Sequence, residues 1–264
     1  MSKNYPIVLS FSGHDPSGGA GIQADIETLA SHHCHSVSVI TALTEQDSSN
    51  VKNIYPQSSE NIMTQAQTLL DDMCIDVIKI GMIADDKVAY AIAHILESNP
   101  SIPVVLDPVL VAGGGQSLSN PALIKIINQH LLPHTQVLTP NYNEARLLTG
   151  LESITECANA LENQGCEYVL ITGADENLDS NQVKNHLFHQ QRCIEDFSWE
   201  RLPHNYHGSG CTLASSIAGL IAQGLDPLAA INEAQNYTWN TLDAAYKAGR
   251  GQYNPKRLFW MEAG

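Results

Sequence analysis

Asp76–Leu110 reads DVIKIGMIADDKVAYAIAHILESNPSIPVVLDPVL, and this stretch decides the fold. DVIKIG, from Asp76, and PVVLD, from Pro103, are short runs rich in Val and Ile that end in Gly and Asp, the signature of strands. Between them Lys87–Leu96 carries helical spacing. Apolarity in the two runs is continuous rather than alternating, so each strand is buried on both faces. That burial requires a mostly parallel sheet with helices on either side. The same alternation extends outward. IVLSF from Ile7, VSVITAL from Val37, QVLTP from Gln136 and YVLIT from Tyr168 read as strands, and Glu60–Met73 and Asn120–Leu131 as helices. From Lys184 the chain reads as a polar hairpin at a sheet edge, followed by two closing helices from Gly208 and Pro227. The expected class is α/β. No linker, repeat or low-complexity segment interrupts residues 1–264, which predicts one domain.

Composition narrows the function. A chain of 264 residues, 43% hydrophobic, suffices for one large core. Its net charge of -15 opposes binding to nucleic acid or anionic membranes, both of which need basic patches, and leaves small metabolites as partners. No run is long and apolar enough to span a bilayer, and MSKNYPIVLSFSGHD breaks into Gly and Asp too early for a signal peptide, so a cytoplasmic location is expected. Cysteines at 34, 74, 157, 166, 193 and 211 show no paired spacing and are expected as free thiols.

In an open parallel sheet the loops beyond the strand carboxyl ends carry the chemistry. HGSGCTLASSIAGL, His207–Leu220, sets Gly208 to Cys211 at the start of a buried helix whose apolar positions include Leu213, Ile217 and Leu220. Free amides at such a turn bind anions, and glycines let a phosphate approach. The plainer alternative is a Ser-capped helix with a packed cysteine. The first loop, SGHDPSGGAGIQAD from Ser12, contains G-x-G-x-x-A, but His14, Asp15, Pro16 and Ser17 lengthen it beyond a dinucleotide turn, so a glycine-rich lid or substrate loop fits better. No P-loop motif is present. Other strand ends place Gln46, Gly81, Met82, Asp107, and Asn141 with Glu144. Alone these are turn caps or a capping box; together they offer two carboxylates for Mg²⁺, an amide, and an anion-binding helix terminus, an inventory suited to phosphoryl transfer.

GHDPSGGAGIQAD, TALTEQD, KIGM, LDPV, LTPNYNEA and HGSGCTLASS occur in the order found in one family. The chain resembles the hydroxymethylpyrimidine/phosphomethylpyrimidine kinases of thiamine biosynthesis, within the ribokinase-like superfamily, over nearly its whole length. The resemblance implies a three-layer α/β/α fold, ATP with Mg²⁺, and a pyrimidine phosphorylated on its hydroxymethyl group and again as the monophosphate. It places Gln46 as reader of the aminopyrimidine, a task one carboxamide can perform by donating and accepting together. It puts Gly13, Ala20, Asp25, Met82 and Val109 around the pyrimidine, although Asp25 also reads as a first-turn helix carboxylate. Asp107 and Glu144 match the Mg²⁺ region. Asn141, Thr172 and Gly173 fall on the nucleotide side, and Gly208, Ser209, Gly210 and Cys211 match the anion hole. Cys211 stands where sugar kinases of the superfamily carry a catalytic aspartate. A thiol there would stay neutral or, with its pKa lowered by the helix terminus, act as a modest base.

Two family lysines are missing. Val111, Ala112, Gly113, Gly114 and Gly115 replace a lysine-bearing stretch, and Thr172 replaces the lysine of a K-G-G-H turn. Ser209 for the usual threonine keeps the hydroxyl. SHHCH, Ser31–His35, lacks metal-ligand spacing and is expected to be an exposed turn. The tail carries Lys247, Arg250, Lys256 and Arg257, expected to pair with the acidic surface or with a neighbouring copy in a homodimer. A pyridoxine-type kinase of the same fold, or a non-catalytic nucleotide- or vitamin-binding protein, are the alternatives.

Overall fold

The computed structural model describes residues 5–111, 118–176 and 179–262. Nine strands form one sheet in the order β3-β2-β1-β4-β5-β6-β7-β8-β9. β1 (Ile7–His14), β2 (His35–Gln46), β4 (Val77–Ile80), β5 (Val104–Leu106), β6 (Val137–Leu138) and β7 (Tyr168–Ile171) are parallel. β3 (Val51–Pro56) is antiparallel at one edge, and β8 (Gln182–His189) and β9 (Arg192–Glu200) form the hairpin at the other.

Successive strand residues serve opposite cores, as buried parallel strands must. Leu9, Ile78, Leu106 and Leu138 face one helical layer made by α2 (Ser59–Asp72), α3 (Asp86–Ser98), α4 (Pro121–Ile126), α5 (Tyr142–Thr149) and α6 (Ile154–Asn163). Val8, Val77, Val105 and Val137 face α1 (Gly21–Ser31), α7 (Ser209–Ala222) and α8 (Pro227–Asp243). The three-layer expectation holds. The helix expected over Asn120–Leu131 runs as α4 and then a π-helical turn, Ile127–Leu131. β3 had no counterpart in the sequence reading, because only its pairing with β2, not its mixed and largely exposed side chains, defines it.

Among the described residues no helix is long and apolar enough to cross a membrane. All six cysteines are unpaired. The SHHCH turn is less exposed than expected. His32 packs tilted against Tyr237 with ring centroids 4.5 Å apart and bonds to Ser216 through Nε2 at 2.7 Å, and Cys34 is buried. Packing of α7 and α8 against the end of α1 draws them in. Ala112–Ser117, which include the glycines replacing the first family lysine, lie outside the described residues.

Candidate active site

The chain leaves β1 for β2 on one side and later returns to place β4 on the other. Strand order reverses there, so the loops after β1 and β4 diverge and leave a crevice at their carboxyl ends. The loop after β1 begins at Asp15, with Gly13 just before the end of the strand, and Gly81 follows β4. Across the crevice stands the N-terminus of α7.

Gly208 is the N-cap of α7 with φ 84°, and a Cβ there would collide with the Gly19 carbonyl. Gly21, with φ 59°, is equally constrained by the Gly13 carbonyl. Glycine at 208 lets the α7 turn lie against the first loop, and glycine at 21 lets that loop fold back on the end of β1. No side chain caps α7, which replaces the Ser-capped alternative with an open terminus whose first amides have no helical acceptor. Two further residues, Asp15 and Arg257, tie the two segments together. Asp15 accepts from Ser17 and Ala20 amides at 2.8 and 2.9 Å, and from His207 Nε2 at 2.8 Å. Arg257 donates to the Gly19 carbonyl at 2.5 Å and to Thr212 Oγ1 at 3.0 Å, while pairing with Glu27 at 3.0 Å. Arg257 is thus a buried strap from the C-terminal segment rather than a surface cation, because the carbonyl and hydroxyl it satisfies are themselves interior.

Gln46, at the end of β2, points its carboxamide at His207, with the two nitrogens 2.9 Å apart. His207 Nε2 cannot both accept from Gln46 and donate to Asp15. Burial works against the Asp15 charge, but the bonds from His207 and Ser17 prevail and hold its carboxyl below the usual range. With the Nε2 proton given to Asp15, the Gln46 carboxamide turns its oxygen rather than its NH₂ group toward His207, because two N–H groups cannot face each other at 2.9 Å, and its amide hydrogens are then unclaimed by His207. Thr44 gives its one hydroxyl proton to the His14 carbonyl at 2.9 Å and stands with its oxygen 3.2 Å from the Gln46 carboxamide. Gly13 and Met82 meet at the crevice floor, where the Met82 sulfur would lie 3.1 Å from a Cβ at position 13. Ala20, Met82 and Val109 are part-buried.

Asp25 departs from the expected pocket wall. It is wholly buried, and its carboxylate receives Lys79 at 2.9 Å, Ser215 at 2.6 Å and Ser12. With its lone pairs so occupied it stands behind the crevice as counter-ion to Lys79. Burial opposes the Lys79 charge, but Asp25 outweighs it and holds the ammonium above its ordinary pKa. Cys211 lies against this pair. Burial pushes its thiol up to about 11, with Asp107 and Asp25 adding to the rise against Lys79. The expectation of a lowered thiol pKa is corrected: desolvation and two carboxylates outweigh the helix terminus. Cys211 is a neutral thiol that hydrogen-bonds Asp107.

Asp107 and Glu144 are each 5% exposed. Burial raises Asp107 to about 6 and Glu144 to about 8, the latter helped by the Asp107 charge. Glu144 completes the α5 capping box with Asn141, accepting from the Asn141 amide at 3.0 Å, and also from the Leu110 amide at 3.1 Å. The cap reading is therefore correct as geometry. Two hard oxygen donors held above their usual pKa in one buried region also suit a divalent cation, since a carboxylate oxygen with one amide bond keeps a lone pair.

Beyond Ser209 and Gly210 a cavity of about 450 Å³ opens, lined by Thr172, Asn185, Trp199, Arg201 and Trp239 among others. Thr172 thus reaches a cavity on the expected side. Gly173 sits behind it, its amide bonded to Asn185, and Asn141 spends its carboxamide oxygen capping α5. The sequence reading assigned nothing to the two tryptophans or to His207 and Lys79, and it expected Arg257 to pair with the acidic surface or a neighbouring copy rather than with the first loop and α7. His207 and Lys79 sat inside motifs already quoted, HGSGC and KIGM; for Arg257 no local signal existed, since its partners lie far away in sequence.

A sequence model described as phosphomethylpyrimidine kinase matches residues 15–256. A hydroxymethylpyrimidine/phosphomethylpyrimidine kinase of Synechococcus elongatus is 35% identical over 94% of this chain and 95% of its own length. A probable chloroplastic thiamine biosynthetic bifunctional enzyme of Oryza sativa is 36% identical over 90% of this chain, which spans 44% of that relative's length. Among solved structures, the Staphylococcus aureus pyridoxal kinase bound to pyridoxal superposes with TM-score 0.88 at 25% identity, covering 98% of this chain and 96% of that one. A phosphomethylpyrimidine kinase from Clostridium difficile does so with TM-score 0.77 at 27% identity, covering 89% and 99%. The fold is ribokinase-like, and the chain is a kinase that belongs to the phosphomethylpyrimidine kinase family.

Proposed function

We propose that this protein transfers phosphate from ATP to the hydroxymethyl group of an aminopyrimidine and then to the resulting monophosphate, as a step toward thiamine. The observation that carries the reading is the Gln46 carboxamide at the end of β2, held beside His207 next to the open α7 terminus, in a chain of this family. Gln46 reads the ring nitrogen and amino group, with Gly13, Met82, Ala20 and Val109 around the ring. The amides of Gly208 to Cys211 receive the charge that develops on the transferred phosphoryl group. Asp107 and Glu144 would hold Mg²⁺, which when bound neutralises phosphate charge. The cavity beside Thr172 takes the nucleotide, and Trp199 and Trp239 offer it aromatic surface.

Cys211 answers to two nucleophiles. The alcohol must lose a proton, and a thiol already bonded to Asp107 can take it on sulfur while passing its own to that carboxylate. The monophosphate, with a second pKa of about 6, needs no base. A neutral thiol does not repel that dianion.

The net charge supports small-molecule partners over nucleic acid, and six unpaired thiols support a reducing, cytoplasmic setting. The likeness to pyridoxal kinases at TM-score 0.88 makes pyridoxal the second alcohol to test. Incubation with ATP, Mg²⁺ and each compound separates the readings by ADP release. Release with hydroxymethylpyrimidine supports the proposal. Release with pyridoxal alone supports the second reading, and ligand-raised melting without release supports a binding protein.

A further inference from the structure

The β8–β9 hairpin carries a second cluster of donor side chains, at the sheet edge and apart from the crevice residues. His186 on β8 pairs in register with Asp196 on β9, and their Nδ1 and Oδ1 atoms are 2.5 Å apart. Cys193 belongs on the opposite face of β9 by simple alternation, three residues from Asp196. It is not there. Leu187 pairs with Glu195 and Phe188 with Cys193, so Ile194 is an extra residue on β9. A β-bulge of this kind re-aims the residues on one side of it. The bulge turns Cys193 onto the face of His186 and Asp196, and its sulfur lies 3.2 Å from Asp196 Oδ1. The three donor atoms all fall within 4.8 Å of one another. One imidazole, one thiol and one carboxylate, part-buried to exposed, leave a fourth position open to solvent.

We propose that His186, Cys193 and Asp196 form a binding site for a divalent cation of borderline softness, of the zinc class, at the edge of the sheet. The mixed nitrogen, sulfur and oxygen donor set selects such an ion over Mg²⁺, which prefers oxygen alone. Binding forms a metal–sulfur bond and releases the Cys193 proton to solvent. The thiolate and carboxylate together then balance the +2 charge, and water fills the fourth position. Without metal, burial and the neighbouring Asp196 push the Cys193 thiol up to about 11, so Cys193 rests as a thiol that donates to Asp196. The ion would cross-link the hairpin. It would also fix the His186 ring, which stands edge-on to Tyr142 at 6.1 Å, directly after the α5 cap.

The test uses the full-length protein, stripped with chelator and titrated with Co²⁺, whose bond to thiolate gives a near-ultraviolet charge-transfer band. Cys211 is a second thiol near carboxylates, so its variant is the control. The expected result is a saturable one-equivalent band that survives Cys211→Ala, disappears in Cys193→Ser, and is displaced by Zn²⁺. His186→Ala should weaken Zn²⁺ binding about tenfold or more. Cys193→Ser should keep its ATP-dependent turnover and its metal-free melting temperature, which shows that band loss is not unfolding. Absence of a band in the wild type, or a band that persists in Cys193→Ser, overturns the proposal.

Discussion

In the proposed function Gln46 reads the pyrimidine and Cys211 serves both nucleophiles. With the His207 proton committed to Asp15, the Gln46 amide hydrogens are unclaimed by His207. Gln46→Leu, of similar size but without polar atoms, should weaken pyrimidine binding by about 1 to 3 kcal/mol while ATP binding is kept. Calorimetric titration with each ligand checks this, and unchanged pyrimidine affinity removes Gln46 from the readout. At Cys211 the two steps should separate. Cys211→Ala should slow alcohol phosphorylation about a hundredfold and the monophosphate step far less. Cys211→Asp would add a third carboxylate near Asp107 and Asp25, spare the alcohol step and suppress the monophosphate step. Steady-state rates of both variants on both substrates decide it; equal losses would make Cys211 a wall of the pocket. The position of Gln46 was legible in the sequence, because the apolar run from Val37 declares the strand that ends there. The neutral state of Cys211 was not, since it depends on Lys79, Asp107 and Asp25, which only folding assembles around it.

The elements that frame the crevice carry two further expectations. Arg257 ties the segment after α8 to the first loop, to α7 through Thr212 and to α1 through Glu27. Arg257→Ala should cost on the order of 2 kcal/mol, because buried acceptors lose their donor while half-buried Glu27 recovers water. Thermal unfolding should fall by about 4 to 8 °C, and KM for both substrates should rise as the loop loosens from the anion hole. A change in neither would make the strap idle. His32, at the end of α1, is part-buried beside Ser216 and Tyr237, and that burial lowers its pKa from 6.5 to about 4, with His33 adding to the effect. Between those values the unfolded chain binds a proton that the folded chain refuses. Stability from His32 is therefore full above pH 6.5 and is lost as pH falls toward 4, on the order of 2 kcal/mol of it by about pH 5. His32→Gln keeps a polar partner for Ser216 without titrating, so its melting temperature should fall less than the wild type's between pH 7 and 5. Parallel curves would contradict the assignment. Neither role could be read from local sequence: Arg257 sat among four basic residues of a tail, and His32 in a polar run that resembles a surface turn.

At the scale of the whole molecule the parallel core was legible because its strands are buried on both faces and say so residue by residue, as in DVIKIG and PVVLD. β3 was not, because an edge strand with exposed Lys52, Asn53 and Tyr55 has no face to declare, and only pairing with β2 defines it. The hairpin at the opposite edge was legible as polar pairing, but its bulge at Ile194 was not. The reversal of strand order at β1 and β4 creates the crevice, and the first loop, β2 and α7 furnish it from three distant parts of the chain. That assembly is the central claim: one crevice serves an alcohol and then its phosphate ester. The direct test is phosphorus NMR of the products formed from hydroxymethylpyrimidine with ATP and Mg²⁺. The account predicts a monophosphate singlet that gives way to the coupled pair of a diphosphate. Accumulation of monophosphate with no diphosphate, or no pyrimidine phosphate at all, would contradict it.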